Sequence, residues 1–76
     1  MTKQEMLAEY IVQDIIEYII EDNNIEFDKA MYLFYNSETF DKLMDIETGL
    51  YLESSAYVYT IFLDEQKYGE LKQTAI

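Results

Sequence analysis

The chain of 76 residues has no cysteine, no histidine and no arginine, and only two glycines. Without cysteine or histidine it cannot form a disulfide, a thiolate zinc site or an imidazole general base. Without arginine it has no guanidinium clamp for a developing anion, and it carries no glycine-rich phosphate loop. Positive charge is also scarce, with five lysines against 16 acids and a formal net charge of −11. Residues 1–38 hold nine acids against Lys3 and Lys29, and the remainder holds seven against Lys42, Lys67 and Lys72, so the halves carry −7 and −4. No basic face exists for phosphate, which excludes direct nucleic-acid binding and adhesion to anionic lipid and favours encounter with a basic partner. No apolar run approaches the ~18 residues of a membrane span, and Glu5 and Glu9 stand where a secretory signal would be basic and then apolar. A cytoplasmic protein without a membrane anchor is therefore expected.

What the chain has is apolar residues, 50% of the total, with four Phe and eight Tyr among them. That is too much for a disordered acidic tail, so the chain should fold. A domain of this length buries only about 60% of the surface its unfolded chain exposes, so its stability should be marginal unless something else covers its apolar residues.

Glu5, Glu9, Gln13, Glu17 and Glu21 recur every four positions, the mark of a helix from Thr2 to about Asn23. Thr2 and Glu5 fit a capping box, and Asn23-Asn24 a stop. Phe27, Ala30, Met31 and Phe34 predict a second helix over 26–36. Asn36 in the left-handed region should end it, and Ser37 should cap a third helix over 37–45. Asp45 to Gly49 reads as a turn and Leu50 to Leu52 as extended chain. Residues 57–63 have strand composition. Ser54 or Ser55 as N-cap, the helical spacing of Tyr57, Val58, Ile61, Phe62 and Tyr68, and Gly69 as terminator favour a fourth helix over 54–69, with Leu50, Tyr57 and Ile61 in the core. With no repeats and no proline-rich linker, residues 1–76 read as one all-α domain of four helices, helix 1 central.

The acidic run 21–28 invites a calcium-loop reading, but counting from Asp22 the required glycine is Phe27 and the required glutamate is Leu33. No metal or other cofactor is expected, and no enzymatic activity: 16 acids supply so many carboxylate pairs that none stands out as acid and base, and without His, Cys or Arg the chain offers no ordinary nucleophile–base pair. The stripe Glu5, Glu9, Glu17 and Glu21 repels itself by about 0.2–0.5 kcal/mol per pair. A solvated face explains it; a docking stripe for lysine and arginine is the functional alternative. Eight phenols exceed what so small a core can enclose with every hydroxyl satisfied, so some tyrosines should lie at the boundary, and Tyr35, Tyr51, Tyr57 and Tyr59 are the candidate anchors. A patch of Tyr35, Asn36, Thr39, Asp45 and Tyr51 round one corner is a further possibility.

The run Phe34-Tyr35-Asn36-Ser37-Glu38-Thr39-Phe40, then Leu43, Asp45, Glu47-Thr48-Gly49-Leu50-Tyr51 and Ser55-Ala56-Tyr57-Val58-Tyr59, resembles a family of small uncharacterised bacterial proteins from gut Firmicutes and Bacteroides. The likeness covers about residues 27–65 and implies a helical protein encoded beside other small, sometimes toxin-like, proteins. It implies no chemistry, and helix 1 lies outside it. The expectation is a non-enzymatic acidic module for a basic protein partner, as the neutralising or regulatory member of a toxin-like pair. A self-associating structural homo-oligomer is the alternative, and a nucleic-acid mimic the third reading.

Overall fold

The computed structural model describes residues 2–68. Its elements are α1 (Lys3–Asn23), α2 (Phe27–Tyr35), α3 (Glu38–Met44), two 3₁₀ turns (Ile46–Thr48 and Leu50–Leu52) and α4 (Ser55–Tyr68), with no strand among the described residues. The protein is a small all-α fold.

α1 begins at the expected capping box. The Thr2 hydroxyl accepts the Glu5 N–H at 3.1 Å, and the Glu5 carboxylate accepts the Thr2 N–H at 3.0 Å. It ends at Asn24, in the left-handed region at φ 54°, whose N–H donates to the Ile20 carbonyl. Between these caps Ala8, Ile11, Val12, Ile15, Ile16 and Ile19 are buried. Ala30 and Phe34 of α2, Leu43 of α3, and Val58, Tyr59 and Phe62 of α4 complete the core around them. Among the described residues, half of the core therefore comes from α1, the central helix. Phe34 meets Phe40 and Phe62 edge to face, at centroid distances of 5.6 and 5.5 Å, which joins α2, α3 and α4.

The corner between α2 and α3 is closed by Ser37, whose hydroxyl donates to the Phe34 carbonyl at 2.6 Å and accepts the Phe40 N–H at 3.1 Å. Asn36 does not enter the left-handed region; it sits at φ −97°, ψ 9°. Its side chain donates to the Tyr32 carbonyl at 2.8 Å, so the end of α2 is satisfied without a positive φ. Leu50–Leu52 is a 3₁₀ turn and not extended. With no strand beside it, extended backbone would have no partner, and the N–H groups of Leu52 and Glu53 bond back to the Gly49 and Leu50 carbonyls instead. Gly49 supplies the left-handed residue there, at φ 72°.

Residues 57–63 are helical, as spacing favoured over composition. The Ser54 hydroxyl caps α4 by accepting the Tyr57 N–H, while the Ser55 hydroxyl donates to Asp14 of α1 at 2.6 Å. The buried face is nevertheless rotated from the expected one. Val58, Tyr59 and Phe62 point inward, Leu50 and Ile61 are half-buried, and Tyr57 is 51% exposed, so Tyr57 is not core. Farther along, the Glu65 carboxylate accepts the N–H groups of Glu38 and Thr39, at 2.8 and 3.0 Å, and the Thr39 hydroxyl at 2.7 Å. It thereby fastens the start of α3 to α4. The expected terminator Gly69 lies outside the described residues.

Candidate protein-interaction groove

Apolar residues of α2 are not confined to its core face, and Tyr32 and Leu33 are exposed on its outer side. Ala30 and Phe34 face the core, while Phe27, Met31 and Tyr35, four apart, form a second row. That row and α1 enclose a depression of about 440 Å³, lined by Val12, Gln13, Ile16, Glu17, Phe27, Met31 and Tyr35. An adjoining depression of about 220 Å³ is lined by Glu9, Val12, Gln13, Tyr35, Phe40 and Met44. The two share Val12, Gln13 and Tyr35 and form one groove. Its floor is the buried pair Val12 and Ile16, one wall is the apolar row from α2 and α3, and the rim on α1 is Glu9, Gln13 and Glu17. From Glu9 to Glu17 the groove runs along about 12 Å of helix.

The wall is held open by packing. Tyr35 stacks on Phe40 with centroids 4.9 Å apart, and Phe40 rests against the buried Phe34. Tyr35 is thereby fixed in place, although 45% of its surface is exposed. Phe27, at the other end, is 56% exposed. Among the described residues no lysine lines either depression. On the far side of the rim Glu9 and Gln13 also border a shallower hollow with Met6 and Tyr10.

The structure divides the residues that the sequence nominated. Glu9 and Glu17 belong to the groove rim. Glu5 is drawn into the Thr2 cap and borders a separate small depression with Leu43, Met44 and Tyr51. The stripe is not one straight face, because each four-residue step turns about 40° round the axis, so Glu21 has moved about 160° from Glu5. Tyr35 is the middle of the groove wall, Tyr51 is half-buried across Met44 from it, and Tyr57 is exposed on α4. Tyr59 is a correction. Only 8% exposed, it packs on Tyr18 at 5.1 Å and donates its hydroxyl to Asp22 at 2.6 Å. Burial, and then that carboxylate, push its phenol well above the ordinary tyrosine range. It is a tie between α4 and α1 and not a partner anchor.

The one-corner patch of Tyr35, Asn36, Thr39, Asp45 and Tyr51 is not assembled either. Thr39 is buried against Glu65, the Asn36 amide holds the Tyr32 carbonyl, and Asp45 accepts the Glu47 N–H. The groove residues missed by the sequence reading are Val12, Ile16, Phe27, Met31, Phe40 and Met44. The one sequence hint is in α2, whose apolar residues at 27 and 30–35 span more of the circumference than a core-facing stripe needs, without marking which of them stay open.

Among the described residues no group of three acids converges to hold a metal ion, and no helix is long and apolar enough to cross a membrane. Comparison of the chain with protein-family models, with curated proteins and with solved structures finds no match.

Proposed function

We propose that the chain is a non-enzymatic acidic interaction module that docks a basic protein partner in the cytoplasm, as the neutralising or regulatory member of a toxin-like pair. The observation that carries this reading is the groove between α1 and the α2 and α3 wall, with an apolar floor, Glu9 and Glu17 on its rim and no lysine among the described residues of its lining. An overall charge of −11 steers cations towards it, and the exposed rings of Phe27 and Tyr35 on its wall supply the apolar contact that charge alone lacks. The composition adds support, since the chain has no cysteine, histidine or arginine from which to build an ordinary catalytic set.

A self-associating homo-oligomer is the main rival, favoured by the exposed Met6, Leu7 and Tyr10 on the outer side of α1. Each added copy would bring a further charge of −11, and Glu9 borders the same surface as Met6 and Tyr10, which counts against close association. A nucleic-acid mimic is weaker still, because the drift of the stripe round α1 spoils the straight row of charges that mimicry needs.

Affinity capture from the native host at low salt, with mass spectrometry and sedimentation of the isolated chain, tests the reading. A basic protein should be retained, should rebind when both components are pure, and should lose on-rate as salt rises, because exposed charges are screened beyond about 8 Å at 0.15 M. Recovery of the chain alone, as an oligomer whose mass ignores salt, would overturn it.

A further inference from the structure

We infer that the groove receives an amphipathic helix, with apolar anchors along one face and lysine or arginine on the flank beside α1. The inference deepens the proposed function and takes from it the sign of the partner's charge.

The backbone decides the form of the occupant. Both walls of the groove are helices, whose N–H and C=O groups bond within their own turns, and no strand edge exists among the described residues. An extended segment laid there would gain no main-chain hydrogen bonds and would bury its own polar backbone unpaired. A helix satisfies its backbone internally and brings only side chains. The dimensions agree. Residues 9–17 on α1 and 27–35 on α2 each give about 12 Å of wall, and anchors at i, i+3, i+4 and i+7 of a docked helix span about 10.5 Å. Met31 and Met44 are unbranched side chains able to fit their shape to such anchors, while Tyr35, held by Phe40, gives a fixed ring between them.

The distribution of charge sets the orientation about the helix axis. Glu9 and Glu17 lie on the α1 rim, the opposite wall is apolar, and among the described residues no lysine lines either side. Cations are therefore matched on one flank only, about two turns apart. A second copy of this chain fits poorly, because its own exposed apolar residues on α1 alternate with glutamates that would meet Glu9 and Glu17.

The test uses the full chain, isotopically labelled, and two synthetic peptides of about 16 residues, long enough for a nascent helix. Their compositions of leucine, lysine, alanine and glutamine are identical. One places leucines at i, i+3, i+4 and i+7 with lysines on a single flank, and the other alternates apolar and polar residues as a strand would. At low salt the helical peptide should bind about tenfold or more tightly than the alternating one, gain helical circular dichroism and shift the amide resonances of Val12, Ile16 and Met31. E9Q with E17Q should weaken it about threefold to tenfold, and F27A about tenfold, whereas D64N on α4 should leave it unchanged. All four replaced side chains are exposed, so these variants keep the fold. Equal binding of the two peptides, with shifts scattered over the acidic surface, would overturn the helix inference and leave the basic-partner reading standing. Failure of both peptides to bind at low salt would overturn both.

Discussion

Glu65→Ala removes the side chain that joins α4 to the start of α3, and its cost can be worked from the hydrogen bonds. Glu65 accepts from the Glu38 N–H, the Thr39 N–H and the Thr39 hydroxyl. The Glu38 residue is exposed, so water replaces that bond at little cost. Thr39 is only 1% exposed, and each of its polar groups left without a partner costs about 1–3 kcal/mol. Water entering the space left by the side chain recovers part of this, which places the loss at about 2–3 kcal/mol. Against a total of roughly 5–15 kcal/mol for a domain, that is a large fraction. Glu65→Gln keeps one acceptor oxygen and should cost about 1 kcal/mol, the difference between charged and neutral acceptors. Urea titration followed by far-ultraviolet circular dichroism measures both, and Glu65→Ala should lower Tm by roughly 10–20 °C. A double-mutant cycle with Thr39→Val should show a coupling of about 1 kcal/mol or more. A loss below about 0.5 kcal/mol for Glu65→Ala, or equal losses for Ala and Gln, would refute the reasoning. The consequence reaches the groove, because α3 carries Phe40 and Met44 of its wall.

Further expected outcomes concern the core, one turn and the alkaline range. Ile15 is fully buried on the central helix, so Ile15→Asp should unfold the chain, its buried carboxylate costing several kcal/mol; wild-type circular dichroism would contradict this. At Gly49, with φ 72° and nothing within 4 Å of an added Cβ, Gly49→Ala should cost about 1 kcal/mol from backbone strain alone and Gly49→Asn less; a loss for Ala far above that would mean a hidden steric contact. Tyr59 holds its proton in the folded chain beyond the ordinary value of about 10, so its contribution is complete below that pH and declines above it, by about 1.4 kcal/mol per unit as the unfolded chain ionises first. Tyr59→Phe should flatten that part of the alkaline decline in a pH series of urea titrations, and an identical slope in both proteins would contradict the assignment.

The parts of the fold legible in the sequence are those set by local chemistry. The four-residue recurrence of polar side chains marks α1, and Thr2, Ser37 and Ser54 cap helices through hydrogen bonds that reach only three residues ahead. What escaped depended on distant partners. The buried face of α4 runs through 55, 58, 59, 62 and 65, but Ser55 and Glu65 disguise it as polar because their partners, Asp14 and Thr39, belong to other helices. Tyr57, two residues before Tyr59 and about 160° from it round the helix, then reads as core in its place. Asn36 could have ended α2 in the left-handed region, and only the bond from its side chain to the Tyr32 carbonyl, with the Ser37 bridge from Phe34 to Phe40, shows why it need not. The groove was illegible for a similar reason. Phe27 and Met31 have the spacing of a core face, and only the seating of α2 on Ala30 and Phe34 leaves them to line an open wall.

The central claim, that the groove beside Glu9 and Glu17 is the docking surface for a basic partner, is tested most directly by a photo-cross-linking amino acid at Phe27. That position is exposed and already aromatic, so the replacement should preserve the fold. Expressed in the native host and irradiated, the chain should yield a cross-linked peptide from a lysine- or arginine-rich protein, within a segment whose apolar residues follow helical spacing. The same reagent at Leu63 on α4 should not capture that segment. Capture of a second copy of this chain at Phe27, or of the same basic segment equally at both positions, would contradict the account.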